Sequence, residues 1–206
     1  MTPSAWMRQA TAWLLRAATV CSTDGQNISL LTPSFPMSYQ GQWMRDSYYG
    51  ISSGIDLLPN LSATVEAVEW MFRNARPSDG AMPQALDLTG ASDSNSFIFL
   101  DSGPFAVKLA STLVSAMPPD KGKAWFLKWE VALSRGLNAT TLDPTGSGLP
   151  WIDPAKPQPS RGYGFQDGEY MSGDVLYSSI LFWNATRILA DLYDSVGPSF
   201  AARASE

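Results

Sequence analysis

Apolar residues along this chain recur at helical spacing, and the segments that show it are of two alternating kinds. From Leu61 to Arg76, Val65, Val68, Phe72 and Ala75 step by three and four, while Glu66, Glu69, Arg73 and Arg76 take the same steps on another face. Such a helix has one wet side. Asn60 or Ser62 is placed to cap it, and Pro77 to stop it after Arg76. Lys121 to Leu137 behaves the same way, with Phe126, Trp129, Leu133 and Leu137 on one face and Lys121, Lys128 and Arg135 elsewhere. Three other segments are almost free of charge. Asp46 to Leu58 carries only its two aspartates, Pro104 to Met117 only Lys108, and Asp174 to Leu189 only Arg187 after its opening aspartate. In the second of these, Phe105, Leu109, Leu113 and Ala116 share one side, and Val107, Ala110, Val114 and Met117 another. A helix apolar on opposite faces is buried on both. The pattern predicts an all-α chain, ordered as inner helix, outer helix, long loop, inner helix, outer helix, long loop, inner helix.

The two long loops, Pro77 to Phe99 and Leu142 to Met171, exceed the dozen or so residues that compact domains usually spend on a connection. Each has a Gly-Pro element, Gly80-Ala-Met-Pro83 in one and Gly148-Leu-Pro150 in the other. A weak internal repeat follows, in which Asp46, Asp101 and Asp167 lie near the starts of successive inner helices, 55 and 66 residues apart. Met82, Phe97, Phe99, Trp151, Tyr163 and Phe165 make these loops packed or ligand-contacting rather than disordered. If the inner helices run parallel, their acid-bearing loops converge at one end.

Composition narrows the chemistry. The 206 residues are 45% hydrophobic, enough for a sizeable core, and only 16% charged. A net charge of −5 with 14 dispersed Lys and Arg argues against nucleic acid as a partner. No apolar run reaches the roughly 20 residues of a membrane span. There is no histidine and one cysteine, Cys21. Ser-His-Asp, Cys-His and histidine-zinc mechanisms are thereby excluded, no metal or other cofactor is called for, and Cys21 reads as an inert thiol. A calcium held by loop aspartates stays open. Any catalysis falls to carboxylates. The N-terminal stretch, broken by Arg8 and Arg16, suits an amphipathic helix better than a signal peptide. Yet four of the six asparagines, Asn27, Asn60, Asn138 and Asn184, start an N-x-[ST] sequon, which leaves a secretory origin open and the location unknown. Asn184 falls in mid-helix and would be a poor acceptor if buried.

The most specific string is Gln42-Trp43-Met44-Arg45-Asp46-Ser47-Tyr48-Tyr49. It resembles the W-x-R-D-x-x-Y stretch that opens an inner helix in the six-hairpin glycosidases, whose fold is an (α/α)6 toroid, and is locally similar to the W-L-R-D-S phrase of their exo-mannosidase members. The resemblance covers most of the chain in architecture, but in motif only this string and the segment Gly148 to Tyr177. It implies that Arg45 and Asp46, with Trp43 beside them, hold sugar hydroxyls where the glycosidic bond is cut. The chemistry agrees independently, because vicinal hydroxyls suit a carboxylate that accepts two hydrogen bonds and a guanidinium that donates in a fixed fork. Equally, Asp46 could be a plain helix cap and Arg45 a surface charge.

A second cluster gathers Trp151, Asp153, Tyr163, Asp167, Glu169 and Asp174 within one loop. Sugar faces stack on Trp and Tyr rings while acids reach hydroxyls and the glycosidic oxygen. Glycoside hydrolysis generally takes one carboxylic acid to protonate the leaving oxygen and a second carboxylate as base or nucleophile. Asp167, beside Phe165 and Tyr163, is the leading candidate acid, since partial desolvation would raise its pKa, and Asp174 and Asp153 stand behind it. Asp174 also reads as the N-cap of the helix that follows, and Asp101 either lines the cleft or caps its own helix. No strong candidate base emerges.

One hairpin pair takes about 60 residues at these spacings, so a closed ring of six needs roughly 360. The chain holds about three, which predicts an incomplete toroid that self-associates or lacks a C-terminal half, because an open array exposes apolar surface. The family's second catalytic carboxylate typically lies in the later hairpins. An arginine found after the acid in some relatives is also missing from the Gln166-Asp167-Gly168 segment. The reading is therefore a carbohydrate-active enzyme, a glycoside hydrolase of inverting type, or else a non-catalytic sugar-binding fragment of the same fold. An isoprenoid-type α/α enzyme is disfavoured, since no D-D-x-x-D metal motif is present.

Overall fold

The computed structural model describes residues 2, 4–10, 19–21, 27–31, 41–57, 61–87, 89–92, 100–140, 142–155, 158–159 and 170–197. It is mostly helical. Helix α1 covers residues 4–10, α2 Met44–Gly54, α3 Leu61–Arg73, α4 Ser102–Ala116, α5 Pro119–Asn138 and α6 Leu176–Val196. A 3-10 turn, Ile55–Leu57, ends the segment that opens with α2. The described strands are short and form four antiparallel two-stranded ribbons: β1 (Thr19–Cys21) with β2 (Asn27–Ser29), β3 (Gly41–Trp43) with β4 (Ala85–Asp87), β5 (Trp151–Ile152) with β8 (Gly173–Asp174), and β6 (Gln158–Pro159) with β7 (Tyr170–Met171).

Helix α4 is central and packs against α2, α5 and α6. Its first three turns are buried on both sides, by Phe105 and Leu109 on one and Val107 and Ala110 on the other. The doubly apolar pattern foresaw this. The last turn opens out, with Ala116 exposed and Met117 half-buried.

Side-chain pairings set the directions. Arg45 meets Asp101 and Tyr49 meets Phe105, so α2 and α4 run side by side in one sense. Lys108 meets Asn184, and Leu100 just before α4 packs with Val175 just before α6, so α6 runs the same way. These three near-uncharged helices are thus parallel, with their N-termini at one end, which is the condition under which the sequence reading brought their loops together. Helix α5 returns antiparallel to α4 after a tight link at Pro118. Gly103 lies against the Gly136 carbonyl and Gly122 against that of Val114, so closely that a Cβ at either would collide. These glycines let the two backbones approach.

Helices α3 and α5 are amphipathic as foreseen, with one exception. Glu69 belongs by spacing to the wet face with Glu66 and Arg73, yet it is only 8% exposed. The indoles of Trp125 and Trp129 on α5 donate to its Oε1 at 2.8 and 3.1 Å, and Lys128 Nζ reaches both oxygens at 2.8 and 2.9 Å. Arg73 donates to Oε2 at 2.9 Å. Two indole N–H groups turned inward need an acceptor, and an ionised carboxylate is the strongest one a side chain offers. Helix α3 also ends at Arg73, three residues before the expected stop. The amides of Asn74 and Ala75 close the last turn on Trp70, Met71 and Phe72 carbonyls, well ahead of Pro77.

The first long loop is packed, as expected. Ala81 and Met82 are buried, Met82 lying against Gly136 of α5, and Arg76 is tied to Asp79 across the turn. Phe97 and Phe99 lie outside the described residues.

Candidate functional site

The site is assembled where α2, α4 and α6 begin. Arg45 is the second residue of α2. Its Nη1 donates a 2.9 Å hydrogen bond to Asp101 Oδ2, and both side chains are buried. Asp101 occupies the N-cap position of α4, but its carboxylate makes no capping hydrogen bond. The capping alternative for Asp101 is thereby corrected: the carboxylate neutralises a guanidinium that reaches it from the neighbouring helix, because a buried Arg must be paired.

Asp46 lies in the first turn of α2 and is half-buried. Helix α2 is capped by Trp43, in extended conformation and without a side-chain bond, so Asp46 is not the N-cap. It makes no hydrogen bond or ion pair with another described residue. Trp43 ends β3, opposite Ala85 of β4. With Gly41, Leu86, Asp87, Ala91 and Ser92 it lines an open cleft of about 390 Å³. The string of the sequence reading thus divides into a buried half, Arg45, and an accessible half, Trp43 and Asp46.

The second cluster reaches the same end. Leu100, the residue before Asp101, packs with Ile152 of β5 and with Val175. That small apolar contact clamps the β5–β8 ribbon onto the start of α4. In the ribbon Trp151 pairs directly with Asp174, so both side chains project from one face. Asp174 is exposed, and the N-cap of α6 is Val175, without a side-chain bond. The reading of Asp174 as the cap is corrected by one residue, because Asp174 is held in the ribbon by its pairing with Trp151. Asp153 is half-buried and accepts a hydrogen bond from the Ala155 amide at 2.9 Å. Tyr163, Asp167 and Glu169 lie outside the described residues.

Two tyrosines that the sequence reading placed in its motif segments but gave no role, Tyr49 and Tyr177, lie on α2 and α6. Tyr177 lies in the first turn of α6, two residues after Val175. Burial, then the neighbouring acidic groups Tyr49 and Asp101, push its phenol above the ordinary range, with Arg45 opposing. Tyr49 packs on Tyr48 and Phe105, with ring centroids 5.3 and 5.6 Å away. Their sequence signal was membership of the two motif segments, Tyr49 as the last residue of the W-x-R-D-x-x-Y string and Tyr177 as the end of Gly148 to Tyr177.

Two buried hydroxyls, Ser47 and Ser102, flank the ion pair and find no hydrogen-bond partner among the described residues. Deeper between the helices, Lys108 Nζ donates to Asn184 Oδ1 at 2.9 Å and sits 4.9 Å from the Tyr48 ring centroid. The Asn184 side chain, half-buried in mid-helix, is thus engaged by α4. Among the described residues no group of three or more Cys, Asp or Glu could hold a metal ion, and no described helix is long and apolar enough to cross a membrane. No protein-family model and no curated protein matches the chain.

Proposed function

We propose that this chain is the sugar-binding part of an (α/α)-toroid glycoside hydrolase, in which α2, α4 and α6 are inner helices and α3 and α5 outer ones. One observation carries the reading. The Trp43-Arg45-Asp46 string, the Asp101 carboxylate and the Trp151–Asp174 ribbon meet at a common end of three parallel helices. Aromatic faces and unshared carboxylates in one place suit a ring that is apolar on its faces and hydroxylated on its rim.

In this reading Asp46 accepts hydrogen bonds from vicinal hydroxyls and Trp43 and Trp151 stack on ring faces. Arg45, held by Asp101, donates from the rest of its fork. Asp167 is the general acid, with Asp174 as the alternative, and the reaction inverts the anomeric carbon through a carboxylate-activated water. The experiment is turnover of a panel of nitrophenyl glycosides by this chain, with Asp46→Asn, Asp167→Asn and Asp174→Asn beside it. Loss of turnover of at least a hundredfold in Asp167→Asn supports the acid assignment, and unchanged turnover sinks it.

One observation favours a second reading, a non-catalytic member of the same fold. Helix α6 leaves Leu176, Ile180 and Trp183 exposed along one face, the last two at 58%. A helix that should be covered on both sides has one side open, as in an incomplete array. Sugar binding without turnover of any glycoside would decide for that reading.

A further inference from the structure

Four of the six asparagines head an N-x-[ST] sequon, against about one expected from the share of Ser and Thr in the chain. Two of the four are the same tripeptide, Asn138-Ala-Thr140 at the end of α5 and Asn184-Ala-Thr186 in the middle of α6. The fold treats the two copies differently. From that difference we infer that Asn138, and not Asn184, is an N-glycan attachment site of this chain. A glycan at Asn138 is independent of any activity at the helix ends.

Asn138 is the last residue of α5 and is exposed. It completes a stripe of exposed residues, Lys121, Lys128 and Arg135, whose spacing keeps all four on one face of the helix. Gly136, two positions earlier, lies against Met82, and the Gly136 carbonyl lies against Gly103 of α4. Two residues turn a helix by about 200°, so Asn138 stands on the side of α5 away from these contacts. The chain leaves the helix at once, the Thr140 amide closing a turn on the Leu137 carbonyl at 3.1 Å. A glycan on Asn138 therefore extends into solvent and displaces no packed side chain, as a bulky, strongly hydrated group requires.

In α6 the same tripeptide is held by its surroundings. Asn184 is half-buried, and its Oδ1 accepts a hydrogen bond from Lys108 Nζ of α4 at 2.9 Å. Thr186 Oγ1 donates to the Phe182 carbonyl at 2.9 Å. The amide nitrogen that would carry a sugar is bonded to the same carbon as that Oδ1, so a glycan would have to root where α6 meets α4, beside buried Leu181 and Ala185. Forcing a pyranose ring into that seam would part the two helices. The modification itself is a group transfer from a lipid-pyrophosphate-linked oligosaccharide. Asn138 Nδ2 bonds to the anomeric carbon, the carbon–oxygen bond to the pyrophosphate breaks, the lipid pyrophosphate leaves and the amide gives up one proton. Transfer takes place on the unfolded chain, so the burial of Thr140 after folding does not oppose it. The fold decides which of the modified chains can pack.

The test is expression of the full chain behind a secretion leader in a eukaryotic host, with the glycosylated asparagines mapped by mass spectrometry after peptide N-glycosidase digestion in heavy-oxygen water. Membrane fraction and medium are both mapped, and removal of the leader shows that the chain entered the pathway. In protease-resistant, folded protein we expect Asn138 to carry a glycan and Asn184 to carry none. Asn138→Gln should lose the gel shift of one glycan, and Asn184→Gln should lose none. Made in a bacterial host that adds no glycan, Asn138→Gln should melt at the parent temperature, because its side chain is in solvent, so the lost shift does not come from misfolding. An unmodified Asn138 in leader-processed chain overturns the assignment. A glycan on Asn184 of the folded protein overturns the selection by packing.

Discussion

Arg45 on α2 and Asp101 at the head of α4 are 56 residues apart in the chain and 2.9 Å apart in space, in a buried ion pair that joins two parallel helices at the end where the candidate site lies. Removing one member leaves the other charged and buried. Arg45→Met and Asp101→Leu are each expected to cost about 3–5 kcal/mol alone, whereas the two together should cost much less. Urea denaturation of the two singles and the double closes the cycle. Additive losses would show that the pair is not coupled.

Glu69 makes stability depend on acid. Its carboxyl is penalised by burial, but hydrogen bonds from Lys128, Trp129 and Trp125 outweigh that and hold its pKa below the ordinary range. A depressed carboxylate contributes stability above the unfolded value of about 4.3, and that contribution is lost as pH falls through the lower folded value. Glu69→Gln should lower stability at neutral pH by about 2 kcal/mol and flatten the acid limb of the stability profile. Lys128→Ala, at a half-exposed ammonium, should cost about 1 kcal/mol or less.

Glycine positions in the helices should respond in opposite directions. A Cβ at Gly103 would run into the Gly136 carbonyl, whereas one at Gly50 in α2 meets nothing within 4 Å. Gly103→Ala is expected to cost about 1–3 kcal/mol by forcing α4 and α5 apart. Gly50→Ala should stabilise by about 0.5–1 kcal/mol through helix propensity and reduced freedom of the unfolded chain. Thermal melts of both variants give the two signs.

The buried hydroxyl of Ser102 has no hydrogen-bond partner among the described residues. Removing such a group relieves a desolvation cost of about 1–3 kcal/mol, so Ser102→Ala should be neutral or stabilising in denaturant. A clear loss would mean that the hydroxyl is satisfied through water.

The open face of α6 predicts association rather than instability. Ile180→Glu with Trp183→Glu should change unfolding free energy by no more than about 0.5 kcal/mol, since both side chains are largely in solvent. Sedimentation velocity should show less self-association than the parent.

Much of the helical framework was legible in the residues alone. The period of three and four marked α3 and α5 with their wet faces, the absence of charge marked α4 as buried on both sides, and the Trp43-Arg45-Asp46 string fell at a helix start. These are properties of one helix and its own faces, which local spacing reports directly. The tertiary structure alone decided that Asp101 partners Arg45 instead of capping α4, that Glu69 turns inward to two indoles, and that Val175 and not Asp174 caps α6. Each depends on which surfaces abut across 50 or more residues of chain, or on a ribbon pairing that claims a side chain first. Periodicity is blind to such partners, because a buried polar group and an exposed one carry the same letter until the neighbour that satisfies it is in place.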